Sequence, residues 1–368
     1  MSIRNAKDLF VVDVDIHLQE SPTQLAPYCD MPWRRSLENM AHLQELFILG
    51  VPGFSPDMFL DVPLPGSVSD VYDRPTHTVK KMRDDLDALD IDVGILFPNH
   101  LLHLALLPNI EYATVLARAY NAWMQDAWLG REKNLKGVLV AAPQNPEDAA
   151  KEIEKYGKER HIVGVYLPAA AVDPLYGSRK YDPIFQAAQD ADLPVLLHAS
   201  GLVHPAFPFN LHQFQTYLAR HALAHPFSMM SNLVSLLDTG VPERFPDLKI
   251  CFTEAGISWV PFMMYRLDRE YLQETRDLPY LKQLPSHYIK NRFFYATQPI
   301  EEPTPFSDIV KVFDLYDGEN NTMFASDWPH PDFDHPNKLL QAPFSDDAKR
   351  KIMSGNAIRF FDLNGRKA

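Results

Sequence analysis

The sequence predicts an α/β protein of the (β/α)8 TIM-barrel class, in a distorted form, and three observations support this prediction. Eight short runs rich in β-branched and apolar residues are spread along the 368 residues. Helical patterns lie between many of these runs, which is typical of parallel strands joined by crossover helices. Polar side chains recur where the runs end, as they do at the carboxyl ends of barrel strands.

The eight candidate strands set the fold class by their number and spacing. They cover residues 10–17, 92–98, 137–143, 162–169, 193–199, 249–255, 292–297 and 322–327. Apolar residues at helical spacing predict helices at 78–90, 111–132, 147–159, 182–192 and 258–274. Eight strands with intervening helices predict a closed parallel barrel.

Two segments fit no regular strand or helix. Residues 20–75, which are rich in proline, are predicted to form an insertion after the first strand that covers the barrel mouth. Residues 199–227 form a second long excursion, rich in His, Phe and Pro. We see no domain boundary, so residues 1–368 are predicted to be a single domain.

Charge and composition restrict the classes of partner. A net charge of −13 argues against binding to nucleic acid or to an anionic membrane, since both rely on clustered Lys and Arg. The N-terminal MSIRNAKDLF has no apolar signal-peptide core, and no apolar run reaches the roughly 20 residues of a membrane span. We therefore expect a cytoplasmic protein with a small-molecule substrate. It is expected to form a homo-oligomer, or a hetero-oligomer with a homologous chain.

The first strand carries charge where apolar residues normally complete a core. In VVDVDIHLQE, the side chains of Asp13, Asp15 and His17 share one face, because side chains alternate along a strand. A buried charge needs a partner or a metal ion. By itself the Asp-x-His pair also fits an exposed strand edge or a hydrogen-bonded core histidine.

Other strand ends favour the metal interpretation. His198, Glu254 and Asp327 end the fifth, sixth and eighth runs, where barrel active sites form. Glu20, just beyond the first strand, is a further candidate ligand that could instead cap a turn. Imidazole and carboxylate ligands together suit a divalent Zn, Mn, Fe or Co ion. The candidate metal ligands, for one or two ions per chain, are Asp15, His17, Glu20, His198, Glu254 and Asp327.

A second group of residues is predicted to act on the substrate. Acid or base chemistry at the mouth needs titratable side chains, and Glu254, Asp327 and His225 are the candidates. Aromatic residues of the mouth segments suggest an aromatic substrate, although they also suit packing. The candidate substrate-binding residues are Trp33, Phe207 and His330.

Four stretches together resemble one protein family. They are DVDIH, LLHASG, GVPERFPDLKICFTEAGISWVPFMMYRLDR and FASDWPH. The chain resembles the amidohydrolase superfamily, in the branch of aminocarboxymuconate semialdehyde decarboxylase and the resorcylate decarboxylases. The resemblance implies that Asp15, His17 and His198 bind a metal ion, and that Asp327 is the eighth-strand aspartate that handles protons. Glu254 departs from the pattern, because the decarboxylases typically have a catalytic histidine there.

Three functional hypotheses follow from the resemblance and its departures. The first is a metal-dependent hydrolase or non-oxidative decarboxylase acting on a small aromatic or carboxylated molecule. The second is a dinuclear iron, manganese or mixed-metal oxygenase, because the additional carboxylates resemble the ligand mix of dinuclear iron sites. The third is a non-catalytic subunit that pairs with an active homologue.

Overall fold

Eight parallel strands, arranged in chain order, form the centre of the computed structural model. The structure describes residues 3–40, 78–200, 211–274, 279–330 and 332–365. Nearly every strand residue is buried, as expected for a parallel sheet covered on both faces. The strands are β1 Val12–Leu18, β2 Val93–Pro98, β3 Leu135–Val140, β4 Ile162–Pro168, β5 Val195–His198, β6 Ile250–Thr253, β7 Phe293–Ala296 and β8 Thr322–Met323.

Backbone hydrogen bonds between β1 and the chain after β8 close the sheet. The N–H of Asp327 donates to the carbonyl of Asp15 at 3.0 Å, and the N–H of His17 donates to the carbonyl of Trp328 at 2.7 Å. These contacts confirm the predicted (β/α)8 barrel class. They also place the acidic end of β1 directly beside Asp327.

Helices connect successive strands, and all five predicted helices are present with ends within a few residues of those expected. The α-helices up to β6 are α1 Pro22–Leu25, α2 Trp33–Asn39, α3 Val79–Ala88, α4 Ile110–Ala127, α5 Pro146–Tyr156, α6 Asp182–Asp190, α7 Tyr217–Asp238 and α8 Val241–Arg244. Those that follow are α9 Trp259–Gln273, α10 Pro285–Asn291, α11 Ile309–Tyr316, α12 Gly318–Asn321, α13 Pro336–Leu339, α14 Asp346–Arg350 and α15 Asn356–Phe360. None of the helices in the described ranges has the length and apolar character of a membrane span.

Local sequence explains where such helices begin. Helix α5 starts after Asn145, whose side chain accepts a hydrogen bond from the N–H of Asp148, and Pro146 occupies the first helical position. Ala149 and Ile153, four residues apart, are buried on one face. This face packs on the barrel, while the charged residues of the helix lie largely toward solvent.

Helix α7 differs from the expectation of an irregular excursion up to residue 227. It begins at Tyr217, after the N-cap Thr216, and continues through Pro226 to Asp238. Pro226 lacks an N–H and normally interrupts a helix. Burial of Met229 and Leu233 on the core face stabilises the helix despite that loss.

The eighth strand is also shorter than the predicted run 322–327. It ends at Met323, and Asp327 has a φ of 66°, which a regular strand does not permit. Within the predicted insertion, α1 and α2 account for much of residues 20–40. Residues 41–77 lie outside the described ranges, and the predicted covering of the mouth rests largely on them.

Candidate metal centre

Three fully buried side chains converge at the carboxyl ends of β1 and β5. Asp15 Oδ1 lies 3.3 Å from His17 Nε2 and 3.0 Å from His198 Nε2. The potential ligand atoms of Asp15, His17 and His198 all lie within 4.8 Å of one another. The structure therefore brings together three of the predicted metal ligands.

The hydrogen bonds at Nδ1 of His17 and His198, the nitrogens that point away from Asp15, determine which tautomer is present. His17 Nδ1 lies 2.7 Å from the carbonyl of Pro98, and His198 Nδ1 lies 2.8 Å from the carbonyl of Ala199. A carbonyl oxygen only accepts, so each Nδ1 carries a hydrogen. In the neutral imidazole, each Nε2 then presents a lone pair towards Asp15, which is how metal-binding histidines are usually oriented.

Such an arrangement of lone pairs needs a positive charge between them. Among the described residues, His17 Nε2 and the second oxygen of Asp15 make no hydrogen bond, although both are buried. Without a cation, the charge comes from protons: burial lowers the pKa of His17, and the Asp15 carboxylate raises it by more, to well above 6.5. A divalent cation supplies the same charge and matches the imidazole and carboxylate donors. The residues therefore fit the predicted metal ion.

Asp327 extends the cluster from the end of β8. Its Oδ1 lies 2.9 Å from His17 Nε2 and 2.7 Å from His330 Nδ1, while its Oδ2 accepts a hydrogen bond from Gln298 at 3.1 Å. Burial raises the pKa of Asp327, and the charge of His330 opposes this shift. His17, Asp327 and His330 form a second set of ligand atoms within 4.8 Å of one another.

Glu254 lies behind His198 and joins it to helix α7. One carboxylate oxygen is 3.1 Å from His198 Nδ1, and the other is 3.3 Å from His225 Nε2. Burial would raise the pKa of Glu254, but the charges of His225 and His198 hold it well below 4.5. Glu254 is thus an anion between two imidazoles, and it contacts the cluster of Asp15, His17 and His198 through His198.

The backbone at Glu254 and Asp327 is in an unfavourable conformation for these residue types. Their φ angles are 60° and 66°, in the left-handed region that favours glycine. Strained backbone of this kind is often found at functional sites, where the surrounding structure holds it in place. Both acids follow the end of a strand, and both side chains contact histidines of the cluster.

The structure does not bring Glu20 into either set of ligand atoms. Its two carboxylate oxygens accept hydrogen bonds from the N–H groups of Asn99, at 3.0 Å, and Leu101, at 2.9 Å. Burial raises its pKa to about 7. Glu20 therefore holds the turn that follows β2, and its role as a metal ligand stays a prediction.

The predicted substrate-binding residues have different positions. Trp33 stacks on Tyr112 of α4, with ring centroids 4.9 Å apart, and its indole N–H donates to Glu111. Phe207 lies outside the described residues. His330 contacts Asp327 directly and so lies within the cluster.

Sequence reasoning missed two buried or half-buried amides at this site. Gln298, two residues after β7, donates to Asp327, and Asn99, directly after β2, lies 2.7 Å from His330 Nε2. Their one sequence signal is the position just beyond a strand.

Asp13 was predicted only to share a strand face with Asp15 and His17. Its Oδ1 accepts from the N–H groups of Asp15, at 3.0 Å, and Ser326, at 2.9 Å.

Two known enzymes are similar to this chain over most of its length. The gamma-resorcylate decarboxylase of Polaromonas sp. (strain JS666 / ATCC BAA-500) is 24% identical over 262 residues, covering 68% of this chain and 78% of that protein. The 2-amino-3-carboxymuconate-6-semialdehyde decarboxylase of Dictyostelium discoideum is 21% identical over 309 residues, covering 81% of this chain and 79% of that protein.

A solved structure and a family model complete the comparison. The dihydroxybenzoic acid decarboxylase of Polaromonas sp. JS666, determined with manganese and the inhibitor 2-nitroresorcinol, superimposes with a TM-score of 0.71. It is 20% identical and covers 97% of this chain and 98% of its own, which shows a common fold. The model of the amidohydrolase family matches residues 83–363. The chain therefore belongs to the amidohydrolase family, as its strand-end motifs predicted.

Proposed function

We propose that this protein removes the carboxyl group of a small aromatic carboxylic acid, using a divalent ion held by Asp15, His17, His198 and Asp327. The observation that carries the proposal is the buried convergence of two imidazole lone pairs and two carboxylates at the barrel mouth. When bound, the ion would supply positive charge that draws and orients substrate oxygens. Decarboxylase names among the relatives support this choice of reaction.

The reaction requires a proton as well as a positive charge. The bond between the ring and the carboxyl carbon breaks, its electron pair stays on the ring carbon, carbon dioxide leaves, and a proton replaces it. His225 is suited to hold that proton: its Nδ1 donates to the carbonyl of His221 at 3.1 Å, while its Nε2 faces the Glu254 carboxylate. Only an imidazolium satisfies both contacts.

Electrostatics at His225 agrees with that role. Burial lowers its pKa, and the Glu254 carboxylate raises it by more, so the net pKa lies above 6.5. We propose that His225 holds the proton and that Glu254 orients it and keeps it charged. Glu254 thus takes part in the function that the family pattern gives to a histidine.

The hypothesis of a dinuclear oxygenase receives less support. A dinuclear oxygenase needs a second ion, but both oxygens of Glu20 already accept backbone hydrogen bonds, and Glu254 is engaged by His198 and His225. The named relatives are decarboxylases, which gives the oxygenase alternative no support. Decarboxylation is therefore the function that the site and the relatives favour together.

Turnover of a panel of hydroxybenzoic and methoxyhydroxybenzoic acids tests the proposal. Protein loaded with Mn²⁺ should release one carbon dioxide per acid consumed and form the ring with hydrogen at that carbon. Asp15→Asn should abolish turnover, whereas Asp332→Asn, which removes a carboxylate 3.7 Å from His221 and outside the two ligand sets, should retain it. Consumption of oxygen with a hydroxylated product, or hydrolysis of ester and amide analogues without decarboxylation, would refute it.

A further inference from the structure

We propose that His330 is a third imidazole ligand of the same ion, in addition to Asp15, His17, His198 and Asp327. This inference rests on the proposed metal centre but not on the proposed decarboxylation. The strand-end pattern did not include His330 among the ligands and instead predicted a substrate contact. Its position in the structure favours direct ligation.

His330 meets the cluster at the same atom as His17. Its Nδ1 lies 2.7 Å from Asp327 Oδ1, and His17 Nε2 lies 2.9 Å from that oxygen. The two imidazole rings stack with centroids 4.3 Å apart and an angle of 28° between their planes. The two ring nitrogens thus approach one carboxylate oxygen from adjacent positions.

The outer nitrogen of His330 is held in the same way as those of the other two histidines. Nε2 lies 2.7 Å from Asn99 Oδ1, and in the tautomer that donates to this oxygen, Nδ1 presents a lone pair to Asp327. His17 and His198 donate outwards to the carbonyls of Pro98 and Ala199. In these neutral tautomers all three imidazoles would direct a nitrogen lone pair inwards to a bound cation, which is the arrangement expected of metal ligands.

The two sets of ligand atoms describe one ion rather than two. They share His17, and the only free nitrogen of that ring is Nε2, because Nδ1 is bound to the carbonyl of Pro98. One nitrogen lone pair ligates one ion. The ion would therefore be held at His17 Nε2, the ligand atom that the two sets have in common.

Ligation by His330 has a consequence for substrate binding. Three imidazoles and two carboxylates would supply five ligands if each gave one atom, so an ion that takes six ligands would keep one position for a substrate oxygen. A substrate would then bind the ion through a single oxygen, and its second polar group would contact side chains of the barrel mouth. Without His330, two positions would be open, which is the number that a chelating substrate needs.

Counting the imidazole ligands tests this inference without any substrate. Wild-type protein labelled with ¹⁵N-histidine and loaded with Mn²⁺ is measured by pulsed electron paramagnetic resonance, which detects each ligating histidine nitrogen. We expect three couplings in the wild type and two in His330→Gln. His103→Gln removes another histidine near the mouth, one that contacts Ser200 at 2.9 Å, and should keep three.

Substitutions of Asn99 separate ligation from simple positioning. Asn99→Leu should weaken Mn²⁺ affinity by roughly 10- to 100-fold, as loss of an outer hydrogen-bond partner does, with three couplings retained at saturating metal. Asn99→Asp, which still accepts from Nε2, should restore the affinity. Two couplings in the wild type would overturn the inference, whether or not any variant folds. An unchanged number of couplings in His330→Gln would also overturn it.

If the wild type bound no Mn²⁺, both this inference and the proposed metal centre would fail. If three couplings were found but no decarboxylation, only the proposed reaction would be refuted.

Discussion

Asp15 Oδ1 lies 3.0 Å from His198 Nε2, joining the ends of β1 and β5 although the two residues are 183 positions apart in sequence. The pair is fully buried, and each residue has a further contact within the site: Asp15 with His17 and His198 with Glu254. This contact therefore links the residues proposed to bind the metal ion with Glu254, and its surroundings lead to four predictions.

Metal content should depend on both members of the pair. Protein purified from medium containing manganese and zinc should hold one divalent ion per chain by elemental analysis. Asp15→Asn and His198→Gln should each reduce the bound metal at least about tenfold, because each removes a ligand from a buried site. Asp332→Asn should retain the metal. Two ions per wild-type chain would contradict this prediction and favour the dinuclear alternative.

Metal binding should release protons near neutral pH. In the metal-free protein, burial lowers the pKa of His198 and the Asp15 carboxylate raises it by more, to about 10, so the imidazole is protonated at pH 7. A ligand nitrogen must lose its proton, so apparent affinity should increase with pH by up to about tenfold per unit for each proton released. Calorimetry in buffers of different ionisation enthalpy measures the number of protons released when the metal binds. His198→Gln should release fewer protons than the wild type, and equal release would contradict the assignment.

Glu254 should control the pH profile of turnover through His225. If the imidazolium of His225 supplies the proton, kcat/KM should fall as pH rises through its pKa, which the Glu254 carboxylate holds above 6.5 against the effect of burial. Glu254→Gln should move this alkaline limb to lower pH. His225→Gln should lower kcat by about 100-fold or more while metal content is unchanged. An alkaline limb that does not move in Glu254→Gln would refute the role of the pair.

Asp13 should affect stability in a pH-dependent way. Burial raises its pKa to about 8, so in the metal-free protein it is protonated at neutral pH, while an unfolded aspartate titrates near 4. Between about pH 4 and 8 the folded state holds a proton that the unfolded state has lost. The free energy of unfolding should therefore decrease as pH rises, by up to about 1.4 kcal/mol per pH unit.

Two substitutions of Asp13 check this linkage by denaturant titration. Asp13→Asn resembles the protonated acid, so its stability relative to the wild type should increase with pH over the same interval. Asp13→Leu removes the acceptor for the N–H groups of Asp15 and Ser326. The free energy of unfolding of this variant should be lower by about 1–3 kcal/mol for each buried N–H left without an acceptor. A stability difference between Asp13→Asn and the wild type that is independent of pH would show that Asp13 is ionised in the fold.

The sequence pattern was sufficient to predict the barrel class, because eight short apolar runs alternate with helical patterns. Each such run forms a strand that is buried in the parallel sheet. Helix α7 was not predicted, because residues 199–227 were expected to form an irregular excursion. Its Pro226 opposes a helix locally, and only the core that receives Met229 and Leu233 stabilises the helical conformation. Tertiary burial there outweighs a local preference.

At the candidate site, the sequence by itself determined which strand ends carry acids and imidazoles: the Asp-x-His of β1, His198 and Asp327 were all identifiable from alternation and strand position. Only the tertiary structure decided which of them share a ligand set. Both oxygens of Glu20 accept hydrogen bonds from backbone N–H groups, whereas His330 lies beside Asp327. The physical reason is that strand position fixes the end of the barrel at which a side chain lies. Hydrogen-bond partners from other strands, such as Asn99 and Gln298, fix where its polar atoms point.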